Sequence, residues 1–147
     1  MDEMLKDPMV LRQVIMDHYE YPRNHALKKE EGYLNKHMAS ESCIDDIEVQ
    51  AKIQNGIIED ICFDGVACTI ATSSTSIMSE LMKGKTIEEA KHINEEYRKM
   101  IDKQAYDEDL LEEAVAFQNV GNQANRIHCA TIGWDAIVAL MEESEEK

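Results

Sequence analysis

The 147-residue chain has few basic residues for its size. Fifteen lysines and arginines stand against thirty aspartates and glutamates, which gives a formal net charge of −15. Such an excess of negative charge repels the phosphate backbone of nucleic acids and the anionic face of a membrane. We therefore expect no nucleic-acid partner and no membrane partner.

The chain also lacks long apolar runs, internal repeats and low-complexity linkers. No apolar stretch approaches the ~18 residues that a membrane-spanning helix needs, and no basic segment leads into an apolar run with a small-residue cleavage site. These features predict a soluble cytoplasmic protein. We expect residues 1–147 to form one domain that folds without disulfides, with a frayed acidic tail at residues 142–147.

The spacing of apolar residues predicts a helix, then a hairpin, then several helices. The first helix should end before Tyr21-Pro22, because the residue preceding a proline avoids the helical region. Residues 47–54 alternate between apolar and polar, Asn55-Gly56 supplies a tight turn, and a second β-rich run ends at Phe63. The pattern favours a strand hairpin at residues 47–63.

Helical spacing returns in residues 70–82, 87–101, 110–115 and 127–141. Thr86 and Glu89 form a capping-box pattern at the start of the second of these helices. The order of elements predicts an α+β fold. Its small antiparallel sheet consists of the hairpin and a third strand, and helices pack mainly on one face.

Three of the four cysteines fall at predicted element boundaries. Cys43 lies just before the hairpin, Cys68 begins the helix that follows it, and Cys129 begins the last helix, whereas Cys62 lies within a strand. A helix N-terminus stabilises a thiolate, so the boundary positions favour reactive or metal-bound sulfur. The alternative is that each is a small buried core residue, the role we predict for Cys62.

Two further residues accompany these cysteines. Asp45 lies two residues after Cys43 and would face the same side in an extended segment, although a polar turn at Asp45-Asp46 is the alternative. Two or three thiolates with a carboxylate or imidazole suit tetrahedral zinc or the iron of an iron–sulfur cluster. His128 could join Cys129 on one metal only from an irregular turn, because consecutive helical residues point about 100° apart. The other four histidines are expected at surface or packing positions.

Four motifs, in order, resemble the iron–sulfur cluster assembly scaffold family of the IscU, SufU and NifU N-terminal type. MDHYEYPRNH resembles the family's DHY-x-x-PRN opening, and SCIDD resembles its CGD segment. IIEDICFDGVACTIATSSTSIMSELMKGK resembles its F-x-G-x-GC-x-I-x-x-AS-x-S-M stretch, and RIHCATIGWDAI resembles its R-[IV]-x-CA-x-L-x-W block. The long step from Cys68 to Cys129 is most similar to the SufU branch.

The resemblance implies an α+β scaffold fold and an iron–sulfur assembly function. It implies that Cys43, Asp45, Cys68 and Cys129 bind zinc or a transient [2Fe–2S] cluster, with Arg126 supporting the site. The resemblance leaves Cys43 and Cys129 as candidates for the persulfide acceptor, and the sequence does not choose between them. The implied partners are a cysteine desulfurase, which supplies sulfur, and the proteins that accept the cluster. The chain would act as a scaffold or sulfur acceptor rather than as a conventional enzyme.

The chain departs from the family pattern at three places: Ile44, Ala67 and the run from Ala71, which reads ATSSTS where the family has small residues in another order. Ile44 and Ala67 replace family glycines, which allow positive φ and close backbone approach. His128 resembles the IscU branch, where the SufU branch has lysine, and is therefore an additional metal-ligand candidate. Two other hypotheses stay open: a structural zinc-binding paralogue without sulfur transfer, and an acidic protein-interaction module.

Overall fold

The computed structural model describes residues 7–39 and 44–145. Three strands are β1 (Tyr33–Ala39), β2 (Asp46–Gln54) and β3 (Ile57–Val66). Five helices are α1 (Pro8–Glu20), α2 (Thr69–Met82), α3 (Ile87–Ile101), α4 (Glu108–Leu111) and α5 (Ala124–Glu145), with short 3-10 segments at Glu112–Phe117 and Val120–Asn122. The predicted α+β class is confirmed. In the described ranges, no helix is both long and apolar enough to cross a membrane.

The sheet is antiparallel with strand order β1-β2-β3. Asn55 and Gly56 join β2 to β3 with φ angles of 55° and 74°, the conformation of a tight hairpin turn, so the predicted hairpin is confirmed. The third strand is β1, which pairs with β2 from Tyr33 to Ala39. The sequence did not locate it, because an edge strand that is only partly buried carries weak alternation.

Helices cover one face of the sheet, as predicted. α5 packs against β1 and β2, and α2 packs against β3. The apolar side chains of β2 that face these helices, Ile47, Val49 and Ala51, are buried. At the centre, the Trp134 ring stacks on the Tyr97 ring with centroids 3.7 Å apart. Burial of this apolar surface is the main source of stability.

The start of α3 agrees with its predicted capping signal, whereas the end of α5 lies beyond the predicted position. Thr86 and Glu89 form the capping box at the start of α3, and Gly84 has a positive φ of 86° just after α2. α5 continues to Glu145, whose carboxylate contacts the ammonium group of Lys91. The helix therefore includes residues 142–145 of the segment expected to fray.

The opposite face of the sheet is covered by the chain around Lys28. The Gln50 side chain accepts a hydrogen bond from the Lys28 backbone N–H at 2.7 Å and donates one to the Lys28 carbonyl at 3.0 Å. The Cys62 thiol, 1% exposed, donates to the Gln50 side-chain oxygen at 3.1 Å. Cys62 therefore packs inside this layer, in agreement with its predicted structural role.

A buried carboxylate, Asp60, ties this covering segment to the rest of the fold. It accepts hydrogen bonds from the Lys28 ammonium group and the Tyr33 hydroxyl, each at 2.5 Å, and pairs with the Lys83 ammonium group at 3.1 Å. Burial by itself would raise the pKa of Asp60, but these three donors outweigh it and lower the pKa to about 2. Asp60 thus joins the covering segment, β1 and the end of α2.

We predict that Asp60→Asn lowers the free energy of unfolding by about 1 to 2 kcal/mol at pH 7. A lowered pKa in the folded state stabilises the protein above the unfolded value of 3.8, and this contribution disappears as the pH falls toward about 2. The difference between wild type and variant, measured by urea denaturation, should therefore shrink between pH 4 and pH 2. Glu59→Gln, which changes an exposed carboxylate of the same strand, is the control. A difference that does not vary with pH would contradict this role.

Candidate metal centre

Three side chains from separate elements meet at one end of the sheet. Asp45 immediately precedes β2, Cys68 immediately precedes α2, and Cys129 lies in α5. One ligand atom from each, a carboxylate oxygen and two sulfurs, lies within 4.8 Å of the others. The structure thus brings together three of the four residues implied as ligands, and the fourth, Cys43, lies outside the described residues.

The close pairing of β2 and β3 brings Asp45 and Cys68 together. Asp46 pairs with Val66 at the end of the hairpin, so the residues that flank these positions are neighbours. Gly65 permits this approach: its φ is +136°, and a Cβ there would lie 2.2 Å from the Asp46 carbonyl oxygen. Glycine is required at this position because a side chain would push the two strands apart.

Cys68 is the N-cap residue of α2. Its sulfur accepts a hydrogen bond from the Ala71 backbone N–H at 3.4 Å, and its own N–H donates to a carboxylate oxygen of Asp45 at 2.8 Å. The predicted placement of Cys68 at a helix N-terminus is confirmed. The sulfur therefore lies where the free N–H groups and the positive end of the helix dipole are directed.

Cys129 does not begin its helix, so that part of the prediction is wrong. α5 starts at Ala124, which places Cys129 in the second turn, where it is 2% exposed. The first turn of α5 is mostly exposed. Because the start of the helix is predicted from the spacing of buried apolar residues, a turn that faces solvent lies outside the prediction. Burial raises the pKa of the Cys129 thiol, and its contacts with Asp45 and Cys68 raise it further.

His128 and Arg126 both lie on the exposed part of α5. Since His128 is within a regular helix, the irregular turn that it needed to share a metal with Cys129 is not present. Within residues 7–39 and 44–145, the His128 ring does not join the group of ligand atoms. His18 is buried and hydrogen-bonds the Ser76 hydroxyl at 2.8 Å, so it is a packing residue, one of the roles expected for it.

The two positions where family glycines are replaced adjoin ligand residues in the chain: Ile44 precedes Asp45, and Ala67 precedes Cys68. Ile44 is 66% exposed beside Asp45, and Val66, two residues before Cys68, is also 66% exposed. Ala67 does not have a positive φ, so alanine fits there without backbone strain. Ile44 therefore presents an apolar side chain to solvent next to one ligand residue, whereas Val66 lines a groove with Leu27 and His37.

The donor set suits a thiophilic cation. Zinc binds cysteine sulfur and carboxylate oxygen in tetrahedral sites, and both donor types are present here. Asp45 is 1% exposed and Cys129 is similarly buried, so negative charge on both would be costly without a cation. The chemistry of the residues therefore fits zinc or iron held by sulfur.

Comparison with known sequences agrees with this chemistry. The family described as NifU-like N terminal domain matches residues 10–147. The zinc-dependent sulfurtransferase SufU of Bacillus subtilis is 36% identical over 127 residues, which cover 86% of this chain and 85% of that protein. The iron–sulfur cluster assembly scaffold protein IscU of Streptococcus pyogenes is 31% identical over 132 residues, covering 89% of this chain and 82% of that protein.

Solved structures have the same fold. A protein of Fervidobacterium islandicum, described as an iron–sulfur cluster assembly scaffold for the SUF system, aligns with a TM-score of 0.78 and 25% identity, covering 86% of this chain and 93% of that one. The N-terminal part of a NifU-like protein from Brucella abortus aligns with a TM-score of 0.83, covering 92% and 94%. At 19% identity, the second similarity shows the fold alone.

The environments of the thiols predict different reactivities in the metal-free protein. We expect iodoacetamide at pH 8 to modify Cys68 at least ~10-fold faster than Cys129 or Cys62, because Cys68 is partly exposed at a helix N-terminus and the other two are buried. Mass spectrometry of peptides taken over time measures each rate. In urea the three rates should converge. Equal rates for Cys68 and Cys129 in the folded protein would contradict the described site.

Proposed function

The chain belongs to the family of the NifU-like N-terminal domain, and from this premise we propose that it is an iron–sulfur cluster assembly protein, acting as a scaffold, a zinc-dependent sulfur acceptor, or both. The observation that carries the proposal is the convergence of the Asp45, Cys68 and Cys129 ligand atoms within 4.8 Å. The names of the SufU and IscU relatives support the same function.

We propose Cys43, Asp45, Cys68 and Cys129 as the ligands. Cys43 lies two residues before Asp45 in the sequence, which keeps it within about 7 Å along the chain. The exposed position of His128 inside α5 favours a neighbouring role without a bond to the metal. Zinc, when bound, would hold the ligand sulfurs as thiolates, so binding must release the proton that Cys129 otherwise retains.

The sulfur-acceptor role requires a thiolate that a donor protein can reach. A cysteine desulfurase presents a persulfide, and the attacking thiolate bonds to its outer sulfur while the donor's S–S bond breaks. The electron pair of that bond leaves on the donor cysteine as a thiolate, and the new persulfide stays on this chain. Cys43 and Cys129 are the candidate acceptors. The burial of Cys129 favours Cys43, because attack on a protein-bound persulfide needs an accessible sulfur.

In the scaffold role, the same residues hold a transient [2Fe–2S] cluster as cargo. Asp45 supplies a carboxylate oxygen in place of a fourth sulfur, an unusual ligand for a class of cluster held mainly by thiolates. The exposed apolar side chain of Ile44 adjoins Asp45 in the chain, where a partner would approach to deliver sulfur or accept the cluster. Cysteine desulfurase and cluster-acceptor proteins are thus the proposed partners.

The metal content of the protein tests the ligand assignment. We expect anaerobically purified wild type to contain about one equivalent of zinc or of a cluster, by quantification of zinc, iron and sulfide. Cys68→Ala, Cys129→Ala and Asp45→Ala should each lose most of it, because each removes one of the few donors. Cys62→Ala removes a thiol that points into another layer and should retain the metal.

His128→Lys is a second control for the metal measurement and should also retain the wild-type content, since His128 is exposed on α5. Unchanged metal in both Cys68→Ala and Cys129→Ala would contradict the site. That result would favour the alternative hypothesis of an acidic interaction module with core thiols.

Sulfur transfer is tested separately with a cysteine desulfurase. We expect the protein to raise desulfurase turnover of cysteine and to acquire a persulfide that mass spectrometry can detect. Cys43→Ala should abolish both effects, whereas Cys62→Ala should preserve them. Bound zinc with no stimulation and no persulfide would instead favour a structural zinc protein without sulfur transfer.

A further inference from the structure

Helix α5 approaches α2 closely at Gly133. A Cβ atom on Gly133 would lie 2.3 Å from Oγ1 of Thr75 and 2.9 Å from both Cβ and Cγ2 of the same residue. Thr75 is fully buried, and its hydroxyl donates to the Ala71 carbonyl at 2.8 Å. Threonine is also branched at Cβ and has few rotamers in a helix, so it cannot move aside.

This contact lies on the helix faces that carry the two sulfurs. Gly133 is four residues after Cys129 and therefore lies on the same face of α5, about 6 Å further along the axis. Thr75 is seven residues after Cys68 and lies on the same face of α2, about 10 Å from it. The separation of the helices at Gly133 thus governs how near the two sulfurs can come.

A hydrogen-bonded cluster fixes α5 in the same region. The carbonyl of Ala130, which follows Cys129, accepts hydrogen bonds from the Ser74 hydroxyl at 2.6 Å and the Tyr97 hydroxyl at 2.7 Å. The Trp134 indole N–H donates to the Ser74 oxygen at 3.0 Å. These bonds resist sliding or rotation of α5, so a wider gap between the helices cannot be relieved by a simple shift in register.

We propose that Gly133 is a positioning residue for the Cys68–Cys129 sulfur pair. Its missing side chain allows α5 to approach α2 closely enough for both sulfurs to reach one ion, and the inference rests on the metal site proposed above. Moving a Cβ from 2.3 Å to an ordinary contact of 3.4 Å requires a displacement of roughly 1 Å. Metal–ligand distances tolerate only about 0.2 Å, so even a fraction of that displacement disturbs the site.

The test is the affinity of Gly133→Ala for Zn²⁺, measured by competition with a chelator, together with the sulfur-to-metal charge-transfer absorption of the Co²⁺ form. We expect the variant to bind Zn²⁺ at least ~10-fold more weakly than wild type and to show an altered Co²⁺ spectrum. Adding Thr75→Ala removes the nearest clashing atom, so the double variant should recover part of the affinity. Wild-type affinity and spectrum in Gly133→Ala would overturn the inference.

Leu140→Ala separates positioning from a general loss of stability. Leu140 is buried in the same helix but lies about 16 Å beyond Cys129 along the axis, so this variant should be destabilised and yet bind Zn²⁺ like wild type. Equal weakening in Leu140→Ala and Gly133→Ala would overturn the positioning role. If Gly133→Ala does not fold, the double variant is compared with Thr75→Ala alone, and equal affinities of these two would overturn it.

Metal binding by the wild-type protein distinguishes a failure of the proposed metal site from a failure of the positioning role of Gly133. Failure of wild type to bind either Zn²⁺ or Co²⁺ would contradict the proposed metal site and, with it, the role of Gly133. Tight binding by wild type and Gly133→Ala alike would leave the metal site intact and overturn the positioning role alone.

Discussion

The packing of α5 on α2 is the constraint on which the rest of the structure depends. Beside this contact the Trp134 ring of α5 stacks on the Tyr97 ring of α3, and the contact places a buried cysteine of α5 near the N-terminal cysteine of α2. The sheet adds the third group, because the hairpin closes tightly enough at Gly65 to bring Asp45 beside Cys68. Stability and the candidate site therefore depend on the same interface, so a change at this helix contact also changes the distances between the donor atoms.

The site combines groups that oppose one another electrostatically in the free protein. A buried carboxylate and two thiols share a space where desolvation disfavours every additional negative charge. The two thiols differ in their surroundings: Cys68 lies at a helix N-terminus, whereas burial, together with the contacts to Asp45 and Cys68, raises the pKa of the Cys129 thiol. A divalent cation would reverse that preference, because each sulfur could then be a thiolate next to positive charge.

Although the chain as a whole is strongly acidic, one buried aspartate is paired with two lysines. This residue, Asp60, contacts two lysine ammonium groups and a tyrosine hydroxyl on the face of the sheet opposite the helices. This layer holds the segment before β1 in place and encloses Cys62. Of the thiols in residues 7–39 and 44–145, two are buried in different surroundings: Cys62 lies among neutral and paired polar groups, and Cys129 lies among donors that could bind a metal.

Local patterns in the sequence determined the helices, the hairpin turn and the capping box, because each depends on residues close together in the chain. The sequence also indicated which residue types form the site and which family the chain resembles. Only the tertiary structure decided that Asp45, Cys68 and Cys129 meet, that Cys129 is buried in the second turn of α5, and that His128 faces away. The edge strand β1 likewise emerged only through its pairing with β2. The physical reason is that helix and turn preferences act over a few residues, whereas the meeting of three elements depends on how closely their faces can pack.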